Sequence, residues 1–249
     1  MKYLQGTYPV TEYRQLTDTV FAFTVHAPDI AGLAQPGQFA HLLVPGFTLR
    51  RPISFSEIDR QAGTLRFVVL INGEGTRALS AVRSGDTIDL IGPIGNRFLP
   101  GPGRNLYVGG GIGVAPLLGA MKETKGETVA ILGFKSGKSS YLLEEFNAAA
   151  TQCILVTEDG SAGEQGFPTA PLARMLQPGD TVHACGPTGL LSAVKDVCEK
   201  AGVTCYLSID SRMGCGVGAC LVCTCKKAGG GYAHVCKDGP VFLSTEVTF

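Results

Sequence analysis

The sequence has no net charge and little charge of either sign. Lys and Arg together number 21, Asp and Glu also number 21, and charged residues make up 17% of the chain. Nucleic acids and anionic membranes attract proteins with a basic excess, so this balance disfavours both as partners. The sequence also lacks an uninterrupted apolar run of the roughly 20 residues that a membrane helix needs. Because the opening MKYLQGTYPVTEYRQL lacks the order of a signal peptide, we expect a cytoplasmic protein.

Cysteines that are clustered in a reducing compartment are more often ligands or catalysts than disulfide partners. Five of the nine cysteines fall within 22 residues, and they read C-x4-C-x2-C at Cys215, Cys220 and Cys223, with Cys236 following. This spacing is typical of plant-type [2Fe–2S] sites. A structural zinc ion is the alternative, but zinc sites usually have a second close cysteine pair, which is missing here. Cys225 competes with Cys223 as the third ligand, and the spacing favours Cys223.

The pattern of hydrophobic residues divides the 249-residue chain into three sections. Residues 1–100 contain the strand-like segments VFAFTVHA, GQFAHLLV, TLRFVVLI and TIDLIGPI, separated by glycine-containing turns, which favours an antiparallel β-barrel. Strand-like and helix-like segments alternate over residues 101–207, which predicts a parallel α/β sheet with helices on both faces. Residues 208–249 carry the cysteine cluster as a small C-terminal domain. The predicted fold class is therefore multidomain, β plus α/β.

A glycine-rich turn, GGGIGVAP at residues 109–116, lies between a predicted strand and a predicted helix. Free amides and a positive helix end in that position can hold a pyrophosphate. The tripeptide CGP ends another strand of the same predicted sheet and would face the same crevice. The turn does not match G-x-G-x-x-G, and the strand TVAILGF lacks the acidic residue that grips a ribose in that fingerprint. The predicted nicotinamide-nucleotide contacts are Gly110, Gly111, Gly113, Cys185, Gly186 and Pro187.

Two segments of the strand-rich section have side chains suited to a flavin nucleotide. In RPIS, Arg51 can fork onto phosphate oxygens and Ser54 can reach a ring nitrogen, while the amides of Gly75 and Thr76 in GEGT can approach a second phosphate. In isolation these residues fit ordinary strand ends and turns equally well. Nicotinamides transfer electrons in pairs and iron–sulfur clusters transfer them singly, so a chain with both sites needs a cofactor, such as a flavin, that does both.

Together, RPIS, GEGT, GGGIGVAP and CGP resemble the ferredoxin-reductase-like flavoprotein family over about the first 207 residues. The resemblance implies an FAD-binding barrel followed by a nicotinamide-binding α/β domain. Ile53 stands where the family's R-x-Y-S motif often has a tyrosine, which leaves the aromatic neighbour of the flavin ring open. The implied FAD contacts are Arg51, Pro52, Ile53, Ser54, Val68, Val69, Leu70, Gly75 and Thr76.

Within that family, GEGTRALS and DSRMGCGVGACLVCTCK are similar to the electron-transfer subunits of NAD-dependent, two-subunit bacterial dihydroorotate dehydrogenases, and the similarity runs nearly end to end. It implies FAD, NAD as electron acceptor, and one [2Fe–2S] cluster held by Cys215, Cys220, Cys223 and Cys236. The implied partner is an FMN-containing catalytic subunit, in a heterotetramer of two plus two chains that serves pyrimidine biosynthesis. The segment at residues 157–161, TEDGS, resembles one beside the family's nicotinamide site. NAD is the family's implication, although Lys135 could favour the phosphate of NADP.

The sequence offers no pocket for dihydroorotate itself. A general base, an oxyanion site and a clamp for a small acid cannot be assembled from its scattered histidines and carboxylates, so we expect the pyrimidine chemistry on the partner. The four histidines, which we expect to be surface or structural residues, are His26, His41, His183 and His234. Two other readings remain open. One is the reductase subunit of a sulfide dehydrogenase, transhydrogenase or hydrogenase, and the other is a docking module that holds zinc.

Overall fold

Six antiparallel strands near the N-terminus close into a barrel in the order β1-β2-β5-β4-β3-β6. The computed structural model describes residues 3–249. The barrel section comprises β1 (Leu4–Gln15), β2 (Val20–His26), α1 (Pro28–Ala31), β3 (Phe39–Leu42), β4 (Arg51–Asp59), β5 (Thr64–Leu70), α2 (Glu74–Leu79) and β6 (Thr87–Ile94). Strand β1 closes the barrel because it pairs with β2 on one side and with β6 on the other.

Alternation along the strands separates an inner and an outer face of the barrel, since successive side chains of a strand point in opposite directions. Phe23 and Phe67 point inward and stack with their ring centroids 5.1 Å apart. Phe39 and Ile94 point outward, into an apolar cluster that they share with the α/β section and the C-terminal section. The barrel therefore uses both faces of its strands, one for its own core and one for docking.

A seven-stranded sheet follows the barrel, in the order β10-β9-β8-β7-β11-β12-β15. It is parallel from β10 to β12, and β15 is antiparallel to β12. Its elements are β7 (Asn105–Gly110), α3 (Val114–Glu123), β8 (Thr128–Phe134), α4 (Leu143–Ala149), β9 (Gln152–Thr157), β10 (Glu164–Gln165), α5 (Thr169–Met175), β11 (Thr181–Cys185), α6 (Thr188–Ala201) and β12 (Thr204–Ser208).

Helices cover both faces of this sheet. Leu117 of α3 and Phe146 of α4 are buried on the face toward the barrel, whereas Leu172 of α5 and Val194 of α6 are buried on the opposite face. The chain proceeds from β7 to β9 in one direction along the sheet and then crosses back to β11, so the strand order reverses between β7 and β11. Ligands of open α/β sheets bind at such a switch point.

The C-terminal section contributes to two sheets. Its remaining strands are β13 (Thr224–Lys227), β14 (Tyr232–His234), β15 (Val241–Leu243) and β16 (Val247–Thr248). Strands β14, β13 and β16 form a small antiparallel sheet, while β15 joins the edge of the large sheet beside β12. Three side-chain hydrogen bonds connect Asn96, just after the barrel, to this section: its side-chain amide donates to the carbonyls of Asp238 (3.1 Å) and Val241 (2.7 Å) and accepts from the Val241 amide (2.9 Å).

The predicted fold class is confirmed: an antiparallel barrel, a mostly parallel α/β sheet and a small cysteine-rich section occur in the expected order. Elements that the sequence does not predict include strands β1, β4 and β9, helix α5 and the short strands of the C-terminal section. Among residues 3–249, no helix is both long and apolar enough to cross a membrane.

Candidate functional site

The glycine-rich turn lies at the switch point of the sheet. Gly109 and Gly110 end β7, residues 111–113 form one turn of 3-10 helix, and α3 begins at Val114. Gly111 has a φ of +55°, and its carbonyl accepts a hydrogen bond from the Tyr141 hydroxyl at 2.8 Å. The turn therefore directs the positive end of α3 toward the crevice that the sheet topology provides.

The predicted CGP contacts lie directly against this turn. Cys185 pairs with Gly109 across the parallel strands β11 and β7. A Cβ atom added to Gly113 would collide with the Cys185 carbonyl, and one added to Gly110 would lie 2.6 Å from a methyl carbon of Leu190. The structure thus brings all six predicted nicotinamide contacts together at one strand-end crevice, and glycine is needed where the two backbones meet.

Cys185 is the one thiol at this crevice. Burial is the largest cause that raises its pKa to about 12, and a hydrogen bond with the Ser208 side chain opposes it only partly. The thiol is therefore neutral at physiological pH and adds no charge to the turn.

The predicted flavin contacts lie on one side of the barrel. Residues 51–54 begin β4, residues 68–70 end the neighbouring strand β5, and Gly75 and Thr76 lie in the first turn of α2. The Arg51 guanidinium lies so close to Gly75 that an added Cβ there would overlap it, and its Cζ is 4.8 Å from the centroid of the Phe47 ring. The structure therefore brings the Arg51 side chain and the Gly75 backbone together, as the predicted phosphate site requires.

Individual predicted flavin residues differ in the direction they face. Val69 is buried in the barrel core and Ile53 packs against it while staying partly exposed. Val68 and Leu70 instead pack on the outer face, toward the α/β section. Ser54 shares the outer face with Phe39, its partner across β3 and β4.

The flavin strands and the nicotinamide turn are in contact. The 111–113 turn contacts β5, and α3 packs along β4. The packing is close at Gly119 of α3, where an added Cβ would lie 2.6 Å from the Ser56 carbonyl of β4. A network of ion pairs joins the same elements: Glu57 of β4 pairs with Arg66 at 2.5 Å and with Lys122 of α3. A ligand bound on β4 would therefore lie close to a ligand bound at the glycine-rich turn.

The four predicted cluster ligands lie together in the C-terminal section as two pairs. The sulfur atoms of Cys215 and Cys220 interact with each other, those of Cys223 and Cys236 do the same, and Cys215 also acts on Cys236. Among residues 3–249, no three potential ligands surround a single point closely enough to share one metal ion. A [2Fe–2S] cluster takes two thiolates on each of its two irons, so a group of four neighbouring cysteines fits it.

Backbone amides are directed at these sulfurs. The amides of Val217 (3.5 Å), Ala219 (3.3 Å) and Cys220 (3.3 Å) donate to Cys215 Sγ, and the Gly218 amide donates to Cys236 Sγ at 3.1 Å. Although burial raises the pKa of Cys215, these donors outweigh it and lower the pKa to about 6. Cluster binding requires thiolates, and N–H donors that favour the thiolate also tune an iron–sulfur centre, so the donor set fits the group.

The thiols of Cys236 and Cys225 lie in different surroundings from that of Cys215. Burial and the neighbouring Cys223 raise the pKa of Cys236 to about 12, so this thiol must release its proton when metal binds. Cys225 lies in strand β13 opposite Ala233 and packs at the edge of the apolar core. Its position in a regular strand agrees with the prediction that Cys223, rather than Cys225, is the third ligand, and this assignment stays a prediction.

Two further predicted features lie at the same end of the sheet. The segment 157–161 follows β9 and is fixed by a carboxylate of Asp159 that accepts from the amide (2.9 Å) and the hydroxyl (2.6 Å) of Ser161. Lys135 follows β8 and is exposed beside this segment. Its backbone carbonyl accepts a hydrogen bond from the Asp159 amide. Tyr141, whose hydroxyl donates to the Gly111 carbonyl of the glycine-rich turn, belongs to no motif, so no sequence pattern pointed to it.

The fold is that of flavin reductases, and the C-terminal section carries four neighbouring cysteines. These two features define the class of this protein as an iron–sulfur flavoprotein reductase. Solved structures agree. The chain is similar, with a TM-score of 0.89 and 28% identity over 97% of this chain and 89% of the other, to the NADH-dependent reduced ferredoxin-NADP oxidoreductase studied for flavin-based electron bifurcation. It shares the fold of the ferredoxin reductase in carbazole 1,9a-dioxygenase, with a TM-score of 0.70 and 17% identity over 82% of this chain and 67% of that one.

Sequence relatives narrow the class further. Residues 210–248 match the family described as the iron-sulfur cluster binding domain of dihydroorotate dehydrogenase B. A dihydroorotate dehydrogenase B (NAD(+)) electron transfer subunit from Caldanaerobacter subterraneus subsp. tengcongensis is 41% identical, over 86% of this chain and 87% of its own. The subunit of the same name from Listeria monocytogenes serotype 4b is 38% identical, over 98% and 99%. The chain belongs to the family of dihydroorotate dehydrogenase B electron transfer subunits.

Proposed function

We propose that this chain carries electrons between NAD and the catalytic subunit of a dihydroorotate dehydrogenase, within pyrimidine biosynthesis. One observation supports the order of its sites: β4, the predicted flavin strand, packs on α3 behind the nicotinamide turn and pairs with β3, whose outer face meets the cysteine section. A ligand on β4 therefore lies between the other two sites. Family membership supplies the partner and the pathway.

Each site has residues suited to its group. FAD supplies the exchange between hydride and single electrons when it is bound. Arg51 and Gly75 would bind its phosphates and Ser54 its ring, while the 110–113 turn and CGP would orient the nicotinamide. Cys215, Cys220, Cys223 and Cys236 would hold the [2Fe–2S] cluster, and their amide donors keep its sulfur ligands in place.

The partner in this proposal is an FMN-containing subunit that oxidises dihydroorotate, in an assembly of two plus two chains. The finer division of this chain, into a barrel domain over residues 1–100, a nicotinamide domain over 101–207 and a cluster domain over 208–249, is part of the same proposal. The 41% identity to a dihydroorotate dehydrogenase subunit exceeds the 28% identity to the ferredoxin-NADP oxidoreductase, so a transhydrogenase-type subunit is the weaker reading.

A reconstituted complex tests the proposal. The chain is co-expressed with the dihydroorotate dehydrogenase catalytic subunit, purified without oxygen, and assayed for NAD reduction by dihydroorotate. In the Cys220→Ser variant we expect loss of cluster absorbance and of NAD reduction by dihydroorotate, while NADH still reduces the FAD. Cys225→Ser, the matched control, keeps both NAD reduction by dihydroorotate and FAD reduction by NADH. Undiminished electron transfer in Cys220→Ser would count against the cluster site.

A further inference from the structure

One buried histidine lies between the barrel and the cysteine loop. His41 is in β3 and is fully buried. It points to the outer face of the barrel, because its neighbours Ala40 and Leu42 pack in the barrel core. Phe39, on the same face two residues earlier, packs in the apolar cluster that contains Cys223 and Cys236.

The imidazole of His41 contacts the loop of the cluster ligands directly. A Cβ atom added to Gly216, which follows Cys215, would lie 2.6 Å from both Cε1 and Nδ1 of the ring. Gly216 has a φ of +71°, a left-handed conformation that glycine adopts most easily, so backbone and side chain are fitted to each other here. Across the barrel strands His41 is paired with Pro52 and Ile91, which have no polar side chains to offer it.

Neither ring nitrogen of His41 has a hydrogen-bond partner within the part of the chain that the structure describes, residues 3–249. A neutral imidazole carries one N–H, and a buried N–H without an acceptor costs free energy. Burial, followed by the positive charge of Arg50, lowers the pKa of His41 to about 4, so the ring is neutral at physiological pH. The ring therefore has an N–H without an acceptor, and it faces the loop between the proposed cluster ligands Cys215 and Cys220.

We propose that the neutral imidazole of His41 donates a hydrogen bond to the [2Fe–2S] cluster held by the 215–223 loop and thereby raises the cluster's reduction potential. This inference rests on the proposed function, because it needs the cluster in place. A donor stabilises the more negative, reduced cluster more than the oxidised one, and hydrogen bonds to sulfur are among the determinants of such potentials. His41 would thus help set how readily the cluster accepts an electron from either neighbour.

The test is a redox titration of the cluster-loaded chain, in which the cluster and the flavin are followed separately by EPR and absorbance. His41→Leu removes the donor, and we expect the one-electron equilibrium constant of the cluster to fall about tenfold, which corresponds to about 59 mV for one electron. His41→Gln keeps an N–H and should recover most of the shift. Phe39→Leu is the matched control, because it alters packing on the same face without removing a donor.

Three outcomes would overturn the inference: a cluster potential in His41→Leu equal to that of the wild type, an equal shift in Phe39→Leu, or a shift confined to the flavin. If His41→Leu does not assemble, pulsed EPR of the reduced wild-type chain with ¹⁵N-labelled histidine decides. His41→Gln, grown with the same labelled histidine, carries no label at position 41. A ¹⁵N coupling that is present in the wild type and lost in this variant supports the hydrogen bond, and absence of coupling in the wild type refutes it. A chain that binds no iron or sulfide would instead refute the proposed function.

Discussion

The contact between Gly113 and Cys185 allows a sharp test of the nicotinamide crevice. Gly113 has a φ of −64°, which any residue adopts, so Gly113→Ala introduces no backbone strain. The new Cβ would, however, overlap the backbone carbonyl of Cys185, which must move by roughly 1 Å to reach ordinary contact. Backbone is less able to yield than a side chain, and such overpacking costs about 1–3 kcal/mol.

We expect the displacement to separate the glycine-rich turn from the CGP segment. A misplacement of about 1 Å in a positioning group costs on the order of 100-fold in rate. The rate of FAD reduction per unit NADH concentration, measured by anaerobic stopped flow, should fall by about that factor, while FAD stays bound because its residues lie on the barrel.

Gly189→Ala is the matched control for this substitution. Gly189 lies in the first turn of α6 beside the same crevice, and an added Cβ there meets nothing within 4 Å. Alanine should stabilise that helix by about 0.5–1 kcal/mol and leave NADH oxidation unchanged. If Gly113→Ala and Gly189→Ala reduce FAD equally fast, the crevice is not where the nicotinamide binds.

Three further predictions follow from other contacts. Arg51→Leu removes a charged hydrogen-bond donor worth about 1.5–3 kcal/mol, so the Kd for FAD, measured by flavin fluorescence, should rise about 10- to 100-fold, and an unchanged Kd would contradict the phosphate role. Asn96→Ala removes three hydrogen bonds to the C-terminal section and should lower the free energy of unfolding by about 2–3 kcal/mol in urea; a loss no larger than at an exposed site would contradict the anchoring role. Hydrogen bonds from Lys122 and Arg66 lower the pKa of Glu57 despite its burial, so the stability they provide is present above the unfolded pKa of 4.5 and is lost as pH falls through the lower folded value. Glu57→Gln should flatten this acid-side decline by about 1 kcal/mol, and an unaltered pH dependence would refute it.

The elements predicted from sequence are those with one dominant signal. Strands such as Thr128–Phe134 are apolar throughout because both faces are covered, and α6 has a clear amphipathic pattern, so both were predictable. Strand β1 was not, because alternate residues of it are exposed and it lies in a sequence rich in Thr, Glu and Gln. Its position is determined by pairing with both β2 and β6, a long-range requirement that local sequence does not express.

The same distinction holds for the candidate sites. The cysteine spacing and the glycine-rich turn are local patterns dictated by chemistry, so sequence was sufficient to predict them. The roles proposed for Gly113 against Cys185, and for His41 against Gly216, depend on residues that are 72 and 175 positions apart in the 249-residue chain. From sequence, His41 was expected to be a surface or structural histidine, because one histidine in a strand has no pattern that distinguishes it.

The barrel gives a physical reason for the order of the three sites. A nicotinamide that met the cluster directly would have to give up two electrons to a group that takes one, so the two sites need to be kept apart. In this fold α3 packs along β4, whereas the cysteine loop meets the outer face of β3, the next strand. In the proposed arrangement a ligand held on β4 lies next to both, and His41 is a buried polar side chain on the cluster side of that boundary. The separation would then be a consequence of strand order in the barrel, and His41 acts on the cluster from a position paired with Pro52 of the predicted flavin strand.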